Sequence, residues 1–305
     1  MAVSWPDAGT RVTVRYRRPP GSVPPLTDAV GQLLTVAPTV RVRTKTGATV
    51  EITPADVVAV RALTDAPVRT AEIRAIEHAA AKAWPGAQRC WLDGWLLRAG
   101  HGATPADSAV PLDISARAGT VPAIADWYRA RGLTPRLVIP DRLLHQPTGW
   151  VPEHTERLLV RDLVRDAGDM DDIEEGASHP TDRSITVSAR PDDTWRRLDD
   201  RRIPVDVLTA VVDGELAFGS YPGVVAARAA VTDAPDGSRW VGLWAGLWAG
   251  RDQSRAAPLY EALLAWGARR GATRAYLSVP DAGPAQLLDF RLHHRRRYLR
   301  PPDSL

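Results

Sequence analysis

Cysteine is all but absent from this chain. Cys90 stands alone among 305 residues, which excludes an intrachain disulfide and any cysteine-built metal cluster. Long apolar runs are missing too: no stretch approaches the roughly 18 residues that a spanning helix needs. The opening residues, MAVSWPDAG, lack the basic-then-apolar order of a secretory signal. A cytoplasmic protein with no membrane partner is therefore expected. Charge of one sign is not in large excess either. A formal net charge of +3 is no nucleic-acid signature by itself. His101 is isolated, and His293 and His294, as neighbours on a strand, are expected to point opposite ways, so no metal is expected.

What is present reads as a globular protein. Apolar residues make up 44% and charged residues 25%, enough over this length for a sizeable core and two or more domains. Residues 1–65 read as short strands: 11–16, 29–36, 40–44, 49–52 and 57–60. Thr46-Gly47 supplies a hairpin turn and Pro54-Ala55-Asp56 a short turn. Five such strands suggest a small SH3-like β-barrel. It either binds peptide or nucleic acid, or serves as an appendage or dimer contact. Residues 64–67 read as a linker.

From Thr70 to Ala83 the period becomes helical, with Ile73, Ile76, Ala80 and Trp84 on one side, Thr70 as N-cap and Pro85-Gly86 as the stop. Residues 91–97 read as one buried strand, and Asp107 to Leu112 as its return. A helix over 119–132, capped by Thr120 and ended by Gly132, leads to a strand at 137–139. Another strand is expected over 155–163, and then an exposed acidic linker with Asp166, Asp169, Asp171, Asp172, Glu174 and Glu175. A strand at 185–188, a helix at 192–198 and strands at 216–220 and 224–230 follow. Asp213-Gly214 and Asp236-Gly237 mark turns.

The stretch from Trp240 to Tyr298 organises the rest. An apolar run, WVGLWAGLWAG, precedes the basic turn RDQSRAA. A helix-like segment from Pro258 carries Leu259, Leu263, Leu264 and Trp266 on an apolar stripe and stops at Gly271. Ala275, Leu277 and Val279 alternate as a strand. A short helical segment and a basic terminal strand are expected after it.

This pattern resembles the core of the GNAT N-acetyltransferase superfamily. The resemblance implies an α/β (α+β) mixed-sheet acyltransferase fold with a V-shaped opening between two central strands. The family's pyrophosphate loop reads Gln/Arg-x-x-Gly-x-Gly/Ala, and here the match is Arg251-x-x-Ser254-x-Ala256, with Leu259 after it. Both loop glycines are replaced. The later family pattern falls on Ala285, Leu288, Asp289, His293, His294 and Tyr298. Asp289 occupies the place of the usual tyrosine acid. Upstream, Gly94, Trp95, Leu96, Leu97, Arg98, Ala99, Gly102, Thr104, Ala106, Ser108, Pro111 and Leu112 are similar to a segment of an actinobacterial GNAT group, with Pro105 and Asp107 where that group has Arg and Asn. Trp127-Tyr128 and Gly132-Leu133 echo the end of a GNAT unit. Residues 70–165 therefore read as a degenerate GNAT-like half and 180–300 as the acyltransferase domain.

The resemblance implies acetyl-CoA or another acyl-CoA as donor substrate. Backbone N–H groups near Leu247, Trp248 and Ala249 would polarise the thioester carbonyl, and Arg251, Ser254, Arg255 and Ala256 would meet the pyrophosphate. Asp289 and His293, four apart on a helix, form either an acid/base pair or an exposed helix pair. Asp107 either binds a cationic amine or is a surface carboxylate, and Arg98 is expected to pair with it. Trp244 and Trp248 line an acceptor pocket or belong to the core. The acceptor would be a small-molecule or protein amine. Arg295 and Arg297, on one strand face, leave open a donor such as aminoacyl-tRNA or a carrier protein, and a non-catalytic binding role remains a third alternative.

Overall fold

The computed structural model describes residues 5–6, 10–44, 46–63, 68–100, 107–163, 185–199, 203–245, 253–280 and 288–302. Contacts divide the chain into two units, one holding residues 1–67 and the other nearly all that follows.

The first unit is an antiparallel sheet of β1 (Arg11–Arg17), β2 (Leu26–Thr35), β3 (Val40–Thr44), β4 (Thr49–Ile52) and β5 (Val57–Ala62). Val12, Val14, Leu33, Val40, Val42 and Ile52 face inward at every second position and are buried. The strand order β4-β3-β2-β1-β5 leaves β4 and β5 as edges among the described residues. The closed barrel expected from five short strands is thus an open sheet here. A register shift at Arg15/Tyr16 bends β1 between its partners, but β4 has only four residues with which to reach β5.

The second unit starts with α1 (Thr70–Ala83). Arg69, not Thr70, is its N-cap residue, and the Arg69 N–H donates to Glu72 Oε2 at 2.6 Å. Next come β6 (Gln88–Leu92), β7 (Trp95–Ala99), β8 (Ala109–Pro111), α2 (Val121–Arg129), β9 (Leu137–Pro140) and β10 (Val151–Asp162). The single strand expected over 91–97 is a hairpin. Asp93 and Gly94 take φ of 44° and 83°, the left-handed pair of a two-residue turn. Thr120 does sit at the N-cap of α2, but its hydroxyl donates to Asp93 Oδ2 at 3.3 Å and not to the helix. After these lie β11 (Thr186–Ser188), α3 (Asp193–Leu198), α4 (Val205–Leu208), β12 (Gly214–Tyr221), β13 (Val225–Asp233), β14 (Arg239–Ala245), α5 (Gln253–Arg269), β15 (Arg274–Pro280) and β16 (Arg291–Arg300). The acidic segment lies outside the described residues.

Among the described residues the eleven strands of this unit form one mixed sheet, β11-β12-β13-β14-β15-β10-β16-β9-β8-β7-β6. Two halves repeat one order: β6-β7-β8-α2-β9-β10 and β12-β13-β14-α5-β15-β16. Each half gives its last strand to the other. β10 lies between β15 and β16, and β16 lies between β10 and β9. Helix α1 covers the middle of one face. Its Ala75, Ile76, Ala79 and Ala80 pack on Leu158, Val160, Trp240 and Tyr276, while Ala81 meets Leu96, Val110, Val138 and Tyr298. Helix α2 packs on alternate residues of its strands, Leu97, Leu137, Ile139 and Leu299, and Gly267 of α5 lies against Val241, so both cover the opposite face.

Candidate active site

In the second half, the sheet opens where two neighbouring strands part. β14 and β15 run parallel and pair from Trp240↔Arg274 to Leu243↔Leu277, yet both continue, to Ala245 and Pro280. Beyond Leu277, β15 is held by β10, through Leu158↔Ser278 and Glu156↔Pro280, and β14 by β13, through Ala227↔Ala245. Helix α5 follows, beginning at Gln253. That is five residues before the expected start. Its first turn holds Ser254 and Arg255, and Ala256 is buried. Leu247, Trp248, Ala249 and Arg251 lie outside the described residues.

At the matching place in the first half β8 and β9 also part, after Ala109↔Leu137, but the chain that follows β8 is tied to the β6–β7 turn. After β8, the Leu112 and Asp113 N–H groups donate to the Gly94 carbonyl at 3.1 and 2.9 Å, and Trp95 Nε1 donates to Arg117 O at 3.1 Å. A Cβ on Gly94 would lie 2.6 Å from the Ala116 nitrogen, so the hairpin turn itself fills the loop.

A polar cluster lies on the α1 face beside the opening. Ser278, the first residue past the paired region, donates from Oγ to Glu156 Oε2 at 2.6 Å. Glu156 Oε1 is 3.8 Å from His154 Nε2, and the His154 ring stacks on Tyr298 with centroids 4.2 Å apart. Burial raises the Glu156 carboxyl's proton affinity, but the neighbouring His154 imidazole, the Arg296 charge and the Ser278 hydroxyl outweigh it, and its pKa is lowered. One strand further, Glu77 of α1 accepts from Arg296 Nε at 2.6 Å and contacts His294 Nε2 at 2.6 Å. Burial opposes ionisation of Glu77, but Arg296 and His294 win, holding its pKa at about 2. Burial pushes Tyr276 and Tyr298 upward, so both stay neutral phenols.

His293 and His294 do not point opposite ways. Leu158 pairs with His294 but Leu159 pairs with Leu292, so His293 is the extra residue of a β-bulge. The bulge lets the two Nδ1 atoms meet at 2.8 Å. Burial, then the neighbouring His294, lowers the His293 pKa to about 3. The two rings and Glu77 thus form a carboxylate–imidazole–imidazole chain.

Several expected assignments change. Asp289 and His293 share no helix: Asp289 is exposed in a turn with φ of 58°, and His293 is in β16. Arg291, at the start of β16, is level with Tyr276 through Val160, so Asp289 falls toward the start of β15 and away from the opening. Asp107 is buried, not a surface carboxylate. Its Oδ1 accepts from the Gly100 N–H, and Oδ2 has no hydrogen-bond partner among the described residues. Arg98 does not pair with it. Arg98 donates instead to Ser108 Oγ at 2.8 Å and to the Trp84 carbonyl at 3.0 Å. Trp244 packs edge-on against Trp84, with centroids 4.8 Å apart.

Glu77, His154, Glu156, Ser278 and Arg228 escaped the sequence reading. Glu77 looks like an ordinary polar helix position. Arg228 carried the best available signal, a lone arginine inside the apolar run VVAARAAV. It is 1% exposed and lies over Trp84, and burial lowers its pKa to about 9. Among the described residues no cluster of three or more His, Cys, Asp or Glu side chains could hold a metal. No helix there is long and apolar enough to cross a membrane.

Residues 70–299 match the family model described as the C-terminal part of the probable histone acetyltransferase Rv0428c, and residues 6–61 match that family's N-terminal Sm-like domain. The expectation of an SH3-like domain is thus replaced by an Sm-like one. The chain is 60% identical over 304 residues to the probable histone acetyltransferase Rv0428c of Mycobacterium tuberculosis (strain ATCC 25618 / H37Rv), covering 97% of this chain and 96% of the relative. Among solved structures it is similar to a GCN5-related N-acetyltransferase from Kribbella flavida, with a TM-score of 0.49 and 16% identity, covering 78% of this chain and 98% of that one. It is also similar to a tandem GNAT protein from the clavulanic acid biosynthesis pathway, with a TM-score of 0.38 and 11% identity, covering 67% and 77% of the two chains.

Proposed function

Because the chain belongs to the GNAT-type N-acetyltransferase family of the probable histone acetyltransferase Rv0428c, we propose that it transfers an acetyl group from acetyl-CoA to a primary amine. The observation that carries this is the gap between β14 and β15, with α5 beginning after it. Strand N–H groups freed from a ladder can point at a thioester carbonyl oxygen, and a helix N-terminus can meet pyrophosphate. Leu247, Trp248 and Ala249 follow β14 and are the candidates for polarising the carbonyl. Arg251, Ser254, Arg255 and Ala256 are the candidates for holding the pyrophosphate. The amine nitrogen attacks the carbonyl carbon, the C–S bond breaks, and CoA leaves as its thiol once a proton is returned. The relative's name suggests a protein lysine as acceptor. Asp107, buried and with a carboxylate oxygen to spare, is a secondary candidate for holding the amine.

Calorimetric titration with acetyl-CoA and with CoA is the test. Saturable micromolar binding is expected. Arg251→Ala should weaken it about tenfold, the effect of one charge-assisted hydrogen bond. An unchanged dissociation constant removes Arg251 from the donor site, and no binding of either ligand overturns the CoA-dependent reaction.

A further inference from the structure

The opening belongs to the second half, but one wall beside it comes from the first. Strand β10, the last strand of the first half, is the element that holds β15 beyond Leu277. Among its residues, Glu156 and His154 project toward the cluster beneath α1. Glu156 is three-quarters buried, with its side chain 23% exposed, and His154 is 38% exposed.

A partly buried carboxylate ordinarily has a fixed cation. The directly opposite residue across β10 and β16 is Arg296; its charge acts on Glu156, but its Nε hydrogen bond goes to Glu77 at 2.6 Å and it makes none to Glu156. Among the described residues the imidazole facing Glu156 is that of His154, with Nε2 3.8 Å from Oε1. One oxygen, Oε2, is oriented by Ser278. The other faces His154 at a distance longer than a hydrogen bond. A carboxylate oriented on one side and open on the other, beside the end of the β14–β15 ladder, fits a small cation that arrives with the substrate.

We propose that Glu156, oriented by Ser278 and flanked by His154, is the subsite that holds the primary ammonium of the acceptor. This rests on the acetyl transfer proposed above. Glu156 accepts hydrogen bonds from the R–NH3+ group and places its nitrogen toward the thioester. One proton leaves the nitrogen through the Glu156–His154 pair to water. The freed lone pair forms the C–N bond, the C–S bond breaks, and the products are R–NH–acetyl, CoA thiol and one released proton. The degenerate half thus supplies the acceptor carboxylate to a donor site that is not its own.

The test uses the whole chain, acetyl-CoA and Nα-acetyl-lysine amide as amine probe, with the norleucine analogue as a neutral control. Glu156→Gln keeps shape and removes charge. It should raise KM for the amine at least tenfold while leaving the acetyl-CoA dissociation constant unchanged. Ser278→Ala should raise the amine KM by a smaller factor with kcat little changed, and Ser278→Thr should restore it. An amine KM unaltered in Glu156→Gln overturns the proposal. If Glu156→Gln does not fold, the Ser278 pair decides: equal KM values in Ser278→Ala and the parent overturn it. If the parent binds no acetyl-CoA, the transfer reaction falls, and NMR titration of the two probes judges the subsite alone. Shifts with the lysine probe but not the norleucine one, lost in Ser278→Ala or Glu156→Gln, uphold it, and shifts that do not distinguish the probes overturn it.

Discussion

Glu77 is a carboxylate 3% exposed on the buried side of helix α1, and it stays ionised because Arg296 and His294 both reach it. Its ionisation and the neutrality of His293 make acid sensitivity a residue-scale property. The Glu77 pKa is depressed from 4.5 to about 2, so its contribution is present above the ordinary value and is lost as pH falls through about 2. His293 is depressed from 6.5 to about 3, so across that window the unfolded chain binds a proton that the native chain refuses. Stability must therefore fall as pH falls through that same window. Thermal melts between pH 7 and pH 4 should show a declining Tm, and His293→Gln should flatten the decline. A variant whose curve runs parallel to the parent's would rule out His293 as the cause. Glu77→Gln should cost about 3–5 kcal/mol in urea unfolding at neutral pH, since it strands buried cations. None of this was legible in the sequence. A helix position that reads as solvent-facing becomes buried only because a second half of the sheet passes beneath it.

Helix α1 illustrates the element scale. Its span was readable to the residue, because an amphipathic stripe over fourteen residues has one period. What holds its end was not. Arg98 of β7 donates to the Trp84 carbonyl, and Arg228 of β13 donates to the Ala83, Leu208 and Ala210 carbonyls, at 2.8 to 3.0 Å. One arginine from each half thus satisfies the last carbonyls of one helix and complements its dipole. Arg228→Met should destabilise the protein by about 3 kcal/mol, and Arg228→Lys should not restore it, because an ammonium has its three donors on one nitrogen and cannot reproduce the planar span from Nε to Nη2. Denaturant melts check the magnitude, and a lysine variant within ~0.5 kcal/mol of the parent would contradict the argument. Elsewhere, element boundaries failed where turn chemistry was overlooked. The Asp93-Gly94 turn splits an apolar run that periodicity alone reads as one strand.

At the scale of the whole molecule, the exchange of β10 and β16 makes the two halves of the large unit inseparable. A fragment ending at residue 163 would leave β10 without β15 or β16, and β9 without β16. That fragment alone should not yield a folded second unit. The same fragment co-expressed with residues 164–305 should form a stable complex, because the missing strands are then supplied. Size-exclusion chromatography and circular dichroism of the two preparations test this. A monodisperse large unit from residues 68–163 alone would refute it.

The sequence by itself determined the local levels: most strands and helices, the strand-turn-helix-strand order around Trp240 to Pro280, and the acetyltransferase resemblance. Those depend on periodicity and turn residues, whose physics acts over a few neighbours. Only the tertiary structure decided which side chains share a site. Glu156 and Ser278 are 122 positions apart, and Glu77 and Arg296 are 219 apart. No spacing rule reaches across such distances. The bulge at His293 likewise turned a pair expected to diverge into a contact, and a turn ahead of β16 holds Asp289 away from the opening. Strand pairing between two halves, which depends on the global register of a sheet, brought the carboxylates to the opening.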